Sequence, residues 1–202
     1  MNNTLAGMKT TVDITLEDDR AILRPLTADD LALLLPFSLK EPELWTYSLQ
    51  QGGGEENLRK YIESALDDRA KGLSFPFIVY DKKTKSYAGS TRFYDIQALH
   101  NTVQLGYTWY GKDFQGTGLN KHCKHLMLSY AFDELSLARV EFRADANNTR
   151  SIAAMTSLGC KVEGILRSNC ASPTGRRDSI VLSILQSEWE GGLRKDLKNR
   201  LI

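Results

Sequence analysis

The chain has 202 residues, of which 42% are hydrophobic and 25% charged, and its formal net charge is +1. This composition suits one globular domain or two small ones, and we predict a single domain over residues 1–202, with a flexible segment at 1–15. The charges are scattered, no run of about eighteen apolar residues occurs, and Met1–Thr11 lacks a signal-peptide core, so we expect a soluble cytoplasmic protein that binds neither nucleic acid directly nor a membrane.

Helical and strand-like segments alternate along the chain. Apolar spacing and helix-start residues predict helices at Asp29–Pro36, Glu55–Lys71, from Leu119 onward and at Asn148–Leu158. Alternating patterns predict strands at Arg20–Leu26, Phe75–Asp81, Ser86–Ile96, Thr102–Tyr110, Arg139–Asp145, Lys161–Cys170 and Arg177–Leu185. This order indicates an α+β fold with a mixed sheet flanked by helices.

The three cysteines are odd in number and show no Cys-x-x-Cys spacing. Cys123, Cys160 and Cys170 therefore indicate neither a disulfide framework nor a zinc site, and we expect reduced thiols and no metal.

A glycine-rich turn joins the strand at Thr102–Tyr110 to the helix that starts at Leu119. The first amides of a helix lack internal partners and carry the positive end of its dipole, so Gly116-Thr117-Gly118 could hold a phosphate group. A glycine pair is also typical of a simple tight turn, and neither the Walker loop nor the dinucleotide fingerprint is present.

Two motifs in order give the turn a more specific meaning. Gln115-x-x-Gly118-x-Asn120 resembles the Gln/Arg-x-x-Gly-x-Gly/Ala signature of the GNAT superfamily of acyl-CoA N-acyltransferases. Downstream positions are similar to that superfamily's next helix and to the closing hairpin of its RimJ/RimL-like subgroup, which acetylates ribosomal-protein N-termini. They are Asn148, Ser151, Gly159, Glu163, Gly164, Arg167, Gly175 and Asp178. The resemblance covers about residues 20–186.

The resemblance implies a mostly antiparallel sheet of about seven strands that splays open to admit acetyl-CoA. Trp109 and Tyr110 would then lie beside the pantetheine arm. The pyrophosphate would face the backbone amides of the turn, which belong to Gln115, Gly116, Thr117, Gly118, Leu119 and Asn120. Asn148 would bond the pantetheine or an ordered water, and Arg150 a CoA phosphate. The plainer alternatives are a helix N-cap at Asn148 and an exposed Arg150.

By the same resemblance, the reaction is a direct attack of an amine on the thioester. Two usual proton-transfer positions differ here, because Gln104 stands where many relatives have Glu and Met155 where many have Tyr, and neither side chain exchanges a proton at neutral pH. Ser151, beside Asn148, is the remaining candidate to stabilise the departing thiolate. The proton acceptor stays open, with a water, Asp95, His100, Glu55 and Cys170 as candidates.

The acceptor is expected to be a primary amine, and we favour the α-amine of a peptide or protein N-terminus. Trp45, Tyr47 and Tyr107 are predicted to contact it, although each could equally be a core aromatic. The alternatives are a small amine or amino sugar as acceptor, a non-catalytic acyl-CoA-binding or regulatory protein, and a thiol acyl carrier using Cys170 or Cys123. The chain is expected to be a monomer or a homodimer.

Overall fold

Eight strands form one sheet in the computed structural model, which describes residues 10–173 and 175–201. The strands are β1 (Leu16–Glu17), β2 (Ala21–Pro25), β3 (Ser74–Asp81), β4 (Ser86–Gln97), β5 (Thr102–Tyr110), β6 (Arg139–Asp145), β7 (Lys161–Ser172) and β8 (Gly175–Leu185). They lie in the order β1-β2-β3-β4-β5-β6-β8-β7, and each neighbouring pair is antiparallel except β5 and β6. The predicted mixed, mostly antiparallel sheet is confirmed, and the strand beyond the seven expected is the two-residue β1.

Helices cover both faces of the sheet. They are α1 (Leu31–Lys40), α2 (Glu55–Ala70), α3 (Leu119–Ser129), α4 (Thr149–Ser157), α5 (Gln186–Glu188) and α6 (Arg194–Asn199). Alternate residues of β3 show the two layers, because Phe77 packs in a core with α3, α4 and α6, whereas Ile78 packs in a second core with α1 and α2. The α+β prediction is therefore confirmed, with a core on each side of the sheet. No helix among the described residues is both long and apolar enough to cross a bilayer.

Helix α1 runs further than its sequence pattern predicted. Pro36 lies inside the helix rather than at its end, and the helix continues to Lys40. The extra turn carries buried Ser38, whose hydroxyl donates to the carbonyls of Gly52 at 2.5 Å and Gly54 at 3.1 Å. These bonds hold the loop between α1 and α2 against the domain.

Residues 1–9 of the predicted flexible segment lie outside the described residues. From Thr10 the chain is held to α2, because Arg69 Nε donates to the Thr10 carbonyl at 2.9 Å and Arg69 Nη2 pairs with Asp13 at 2.6 Å.

Candidate active site

The sheet opens between β5 and β6. The two strands pair in parallel only where Thr102–Gln104 lies beside Arg139–Glu141. Beyond Gln104, β5 stays paired with β4 as far as Tyr110, while β6 stays paired with β8 as far as Asp145. The ends of β5 and β6 therefore separate, and the opening predicted from the family resemblance is present.

A bulge in β5 lies beside this opening. Gly106 pairs with Arg92 and Trp109 with Ser90, so β5 has one more residue than β4 over this stretch. Tyr107 sits in the left-handed region with φ of 47°, and its carbonyl accepts a hydrogen bond from the Tyr61 hydroxyl at 3.3 Å. A bulge redirects backbone groups that would otherwise pair within the sheet, so it exposes polar backbone at the opening.

The glycine-rich turn adopts the backbone conformation that its glycines allow. Gly116 and Gly118 have φ of 76° and 91°, in the left-handed region that disfavours other residues. Gly118 is the N-cap of α3 and offers no side chain to cap it. The Thr117 hydroxyl donates to the Phe114 carbonyl at 2.8 Å and thereby shapes the turn. The start of α3 is thus open to an anion.

Arg20, directly before β2, reaches this turn and was not identified from the sequence. Its Nε pairs with Asp81 at 2.7 Å, while Nη1 and Nη2 lie 3.4 and 3.5 Å from the carbonyl and hydroxyl oxygens of Thr117. Because 97 residues separate Arg20 from Thr117, no local pattern could have identified the contact.

Gln115 connects the two sides of the opening. Its Nε2 donates to the Tyr110 carbonyl at 2.8 Å, and its Oε1 accepts a hydrogen bond from Arg150 Nη1. Arg150 belongs to α4, which follows β6, whereas Tyr110 ends β5. The structure therefore brings the predicted Gln115 and Arg150 together at the end of the opening that borders the glycine-rich turn.

Asn148 is the N-cap of α4, which is the structural role that the sequence left open as an alternative to cofactor binding. Its Oδ1 accepts a hydrogen bond from the Ser151 amide at 3.0 Å, which leaves its Nδ2 group for other partners. The Ser151 side chain is half-buried, and its hydroxyl forms no hydrogen bond with any of the residues described. Met155, one turn further along α4, is buried in the core.

The remaining predicted cofactor residues are largely buried. Trp109 and Tyr110 are each 7% exposed, and the Leu119 side chain is fully inside the core, so only its backbone faces the turn. Asn120 Oδ1 is buried without a hydrogen-bond partner among the described residues. Leu119 can therefore contribute an amide but no side chain to a phosphate site.

Among the proton-acceptor candidates, Asp95 lies closest to the altered Gln104 position. Both oxygens of its carboxylate are engaged, since Gln104 Nε2 and Gln97 Nε2 each donate to it at 2.6 Å. Asp95 has φ of 48° and lies where the β4–β5 pairing shifts register. His100 lies in the exposed turn that joins these strands, and Glu55 pairs with Arg59 on the surface of α2.

Two of the three thiols are unsuited to acyl transfer. Burial raises the pKa of both Cys123 and Cys160 to about 12, so both stay protonated at neutral pH. Cys170 is half-buried on β7, with its Sγ 3.9 Å from the Ser179 hydroxyl.

The three predicted acceptor residues differ in exposure: one is buried in the core, and the other two are at least partly exposed. Trp45 is 2% exposed, and its ring centroid lies 5.0 Å from that of Trp109 and 5.7 Å from that of Tyr61. It therefore packs in the second core, which is the alternative role that the sequence left open for it. Tyr47 is 43% exposed, and Tyr107 is half-buried at the bulge.

Asp18, Asp19 and His122 place ligand atoms within 4.8 Å of one another, which is close enough to consider a metal site. Asp18 is already occupied, because it accepts hydrogen bonds from the Arg20 and Ala21 amides at 2.9 and 2.7 Å and contacts His122 Nδ1 at 2.8 Å. The cluster therefore fastens the β1–β2 turn to α3.

Comparison with known proteins gives a consistent result. The family described as "Acetyltransferase (GNAT) domain" matches residues 20–161. The chain is 30% identical over 177 residues to a Bacillus subtilis (strain 168) protein named "Putative ribosomal N-acetyltransferase YdaF", and the match covers 84% of this chain and 92% of that protein.

Solved structures share the fold. A GCN5-related N-acetyltransferase from Brucella melitensis superposes with a TM-score of 0.87 at 22% identity, over 96% of this chain and 87% of that one. The ribosomal-protein-S5-alanine acetyltransferase from Vibrio fischeri gives a TM-score of 0.71 at 18% identity, over 88% and 99% respectively.

These matches confirm the resemblance to the GNAT superfamily. Acetyltransferases of this family use acetyl-CoA as a general rule. The family match extends from Arg20 through the glycine-rich turn and α4 to Lys161, and so includes most of the candidate site. The chain is therefore an N-acetyltransferase that belongs to the GNAT family.

Proposed function

We propose that the protein transfers an acetyl group from acetyl-CoA to the α-amine of a peptide or protein N-terminus. The observation that carries this proposal is the opening between β5 and β6, which has the uncapped start of α3 at one end and the bulge at Tyr107 at the other. Acetyl-CoA could span this opening, with its phosphate groups at the start of α3 and its thioester group beside the polar backbone of the bulge.

The glycine-rich turn has the positive charge and the space that binding of a pyrophosphate group requires. The amides of residues 115–120 would face the pyrophosphate, with Gly116 and Gly118 admitting the phosphate oxygens. Arg20, directly before β2, and Arg150, in α4, flank the turn. Guanidinium groups pair well with phosphate, so both are proposed as CoA phosphate ligands.

The chemistry needs a neutral amine, a polarised thioester carbonyl and a proton for the leaving thiolate. The amine nitrogen attacks the carbonyl carbon, the carbon–sulfur bond breaks, and the ammonium proton leaves the product. Backbone at the Tyr107 bulge would polarise the carbonyl, Ser151 would hydrogen-bond the thiolate, and Asp95 would accept the amine proton, directly or through water. Alignment of two bound reactants supplies much of the acceleration, up to roughly 7–11 kcal/mol.

An α-amine suits this set of residues. Its pKa of about 7.7–8.0 lies well below the value of about 10.4 for a lysine side chain, so a useful fraction is neutral near pH 7.5. A site with Gln104 in place of a glutamate therefore favours α-amines over lysines. The similarity to a protein whose printed name is a ribosomal N-acetyltransferase points the same way.

A free-CoA release assay across peptides, lysine derivatives, small amines and amino sugars tests the proposal, with tandem mass spectrometry to locate the acetyl group. We expect acetylation of peptide N-termini. Modification confined to lysine side chains or to small amines would overturn the acceptor assignment. Acetyl-CoA binding without turnover on any amine would instead support the regulatory alternative.

A further inference from the structure

Arg92 is a buried cation on β4 that has no polar partner in the part of the chain that the structure describes. The residue is 1% exposed, and its Nε and Nη2 atoms are fully buried without a hydrogen bond from any described residue. Within residues 10–173 and 175–201, no carboxylate lies within 4.0 Å of its guanidinium group, although other arginines there, such as Arg20 and Arg24, have such partners. A buried, unpaired charge is costly, so its retention requires a reason.

Two aromatic rings account for only part of its environment. The Arg92 guanidinium carbon lies 3.9 Å from the ring centroid of Tyr107 and 4.8 Å from that of Tyr61. Cation–π contacts engage the face of the guanidinium plane, whereas its N–H groups point outward from the edge. The rings therefore leave the hydrogen-bonding edge of Arg92 unsatisfied.

Arg92 lies beside the bulge at the opening. It pairs with Gly106, directly before Tyr107, and both side chains lie on the α2 face of the sheet. The exposed Tyr47 belongs to the segment between α1 and α2 on that face. An acceptor that enters past Tyr47 would therefore approach the opening from the α2 face. Arg92 is buried on this same face, beside the bulge where the thioester is proposed to lie.

A second arginine that pairs with no carboxylate among the described residues lies across the opening. Arg177 on β8 is 8% exposed, and its Nε donates to the Ser179 hydroxyl at 3.1 Å while its Nη1 lies 3.5 Å from the Tyr47 carbonyl. Burial raises the pKa of Tyr107, and the positive charges of Arg92 and Arg177 both oppose this rise.

We propose that Arg92, assisted by Arg177, binds a carboxylate carried by the amine acceptor, so that the enzyme selects acidic acceptors. This inference rests on the proposed function. A carboxylate accepts two parallel N–H bonds from one guanidinium group, which would satisfy Nε and Nη2 of Arg92. Because both atoms are fully buried, binding requires the side chains that cover them, the Tyr107 ring among them, to move aside. Such a carboxylate can come from the side chain of an N-terminal Asp or Glu residue or from the α-carboxyl group of a free amino acid.

The experiment compares acid and amide forms of the same acceptor. Peptides that begin with Asp or Glu are assayed against those that begin with Asn or Gln, and free amino acids against their α-amides. We expect the acid form to be preferred by at least tenfold in kcat/KM, and the better acid series identifies the source of the carboxylate. Equal rates for acid and amide forms in both series would overturn the inference and leave the acetyltransferase assignment intact. No acetylation of any amine would overturn both proposals.

The Arg92→Met variant tests the residue itself. It should abolish the acid preference while leaving the KM for acetyl-CoA unchanged, whereas Arg59→Met, at an exposed ion pair on α2, should change neither. Because the substitution removes an unpaired buried charge, the variant should fold with a Tm no lower than wild type. A retained preference in the folded variant would exclude Arg92. If the variant fails to fold, the acid-to-amide ratios of the wild-type enzyme still decide the question.

Discussion

The side-chain amide of Gln104 on β5 donates to the carboxylate of Asp95 on β4 at 2.6 Å. Gln104 occupies the position where many family members have a glutamate, and it is 6% exposed, whereas Asp95 is exposed at a register shift of β4. β5 therefore carries an amide at this position, and the neighbouring strand β4 supplies a carboxylate. That carboxylate, from Asp95, accepts a hydrogen bond from Gln104.

If Asp95 accepts the amine proton, Asp95→Asn should lower kcat by at least tenfold, since general-base catalysis typically contributes about 10²–10⁴. The KM for acetyl-CoA should stay constant in steady-state kinetics, because Asp95 is not proposed to contact the cofactor. Asp67→Asn, an exposed acid on α2, is the matched control. A kcat within twofold of wild type would assign the proton to water.

Gly118→Asp should weaken acetyl-CoA binding by at least tenfold, about 1.4 kcal/mol, because it places a negative charge at the start of α3. Asn has nearly the same shape and tolerates the left-handed conformation, so Gly118→Asn separates charge from backbone strain. Calorimetry on the folded variants should show the larger loss for Asp. Equal affinities for the two variants would argue against a phosphate at this turn.

Ser151→Ala should reduce kcat and leave the KM for acetyl-CoA nearly unchanged, if the hydroxyl stabilises the thiolate only in the transition state. The amide of residue 151 would still cap against Asn148, so the start of α4 should persist. Steady-state kinetics with a peptide acceptor would check this. A rise in KM without a change in kcat would indicate ordinary cofactor binding instead.

Lys124 makes stability depend on pH. It is buried on α3, its Nζ donates to the hydroxyls of Thr91 at 3.0 Å and Thr108 at 2.7 Å, and burial lowers its pKa to about 7. Between about pH 7 and 10.5 the unfolded state holds the proton that the folded state releases, so stability should rise with pH by at most about 1.4 kcal/mol per unit.

The test is urea denaturation of Lys124→Met and wild type at several pH values. The variant should be more stable at pH 7, and its advantage should shrink toward pH 10 as the lysine becomes neutral in both states of the wild-type protein. A difference that is constant across this range would show that Lys124 does not titrate as inferred.

Trp45 and Tyr47 should respond differently to truncation, although only one residue separates them. Trp45→Ala should lower the free energy of unfolding by about 3–5 kcal/mol, because it leaves a cavity between Tyr61 and Trp109. Tyr47→Ala should leave the unfolding free energy within about 1 kcal/mol and raise only the KM for the acceptor. Loss of acceptor affinity without loss of stability in Trp45→Ala would instead support the acceptor contact predicted for Trp45.

Much of the fold followed from local patterns in the sequence. Period-two stretches identified the long strands, the apolar stripe from Leu119 identified α3, and the Gln115–Asn120 motif located the turn before it. These features are encoded within a few residues, because helix and strand periodicity and glycine's access to positive φ are local properties. The family resemblance depended on the same short segments.

Tertiary structure alone decided which distant side chains meet. The contact of Arg20 with Thr117, the bond between Gln104 and Asp95, the burial of Trp45 and the position of Arg92 between Tyr61 and Tyr107 depend on strand order, register and bulges. A one-residue shift in register moves a side chain to the opposite face of the sheet, so these contacts have no signature in any single segment. The glycine-rich turn was therefore predictable from the sequence, whereas the contact that favours Asp95 among the proton-acceptor candidates and the environment of Arg92 were decided only by the assembly of the strands.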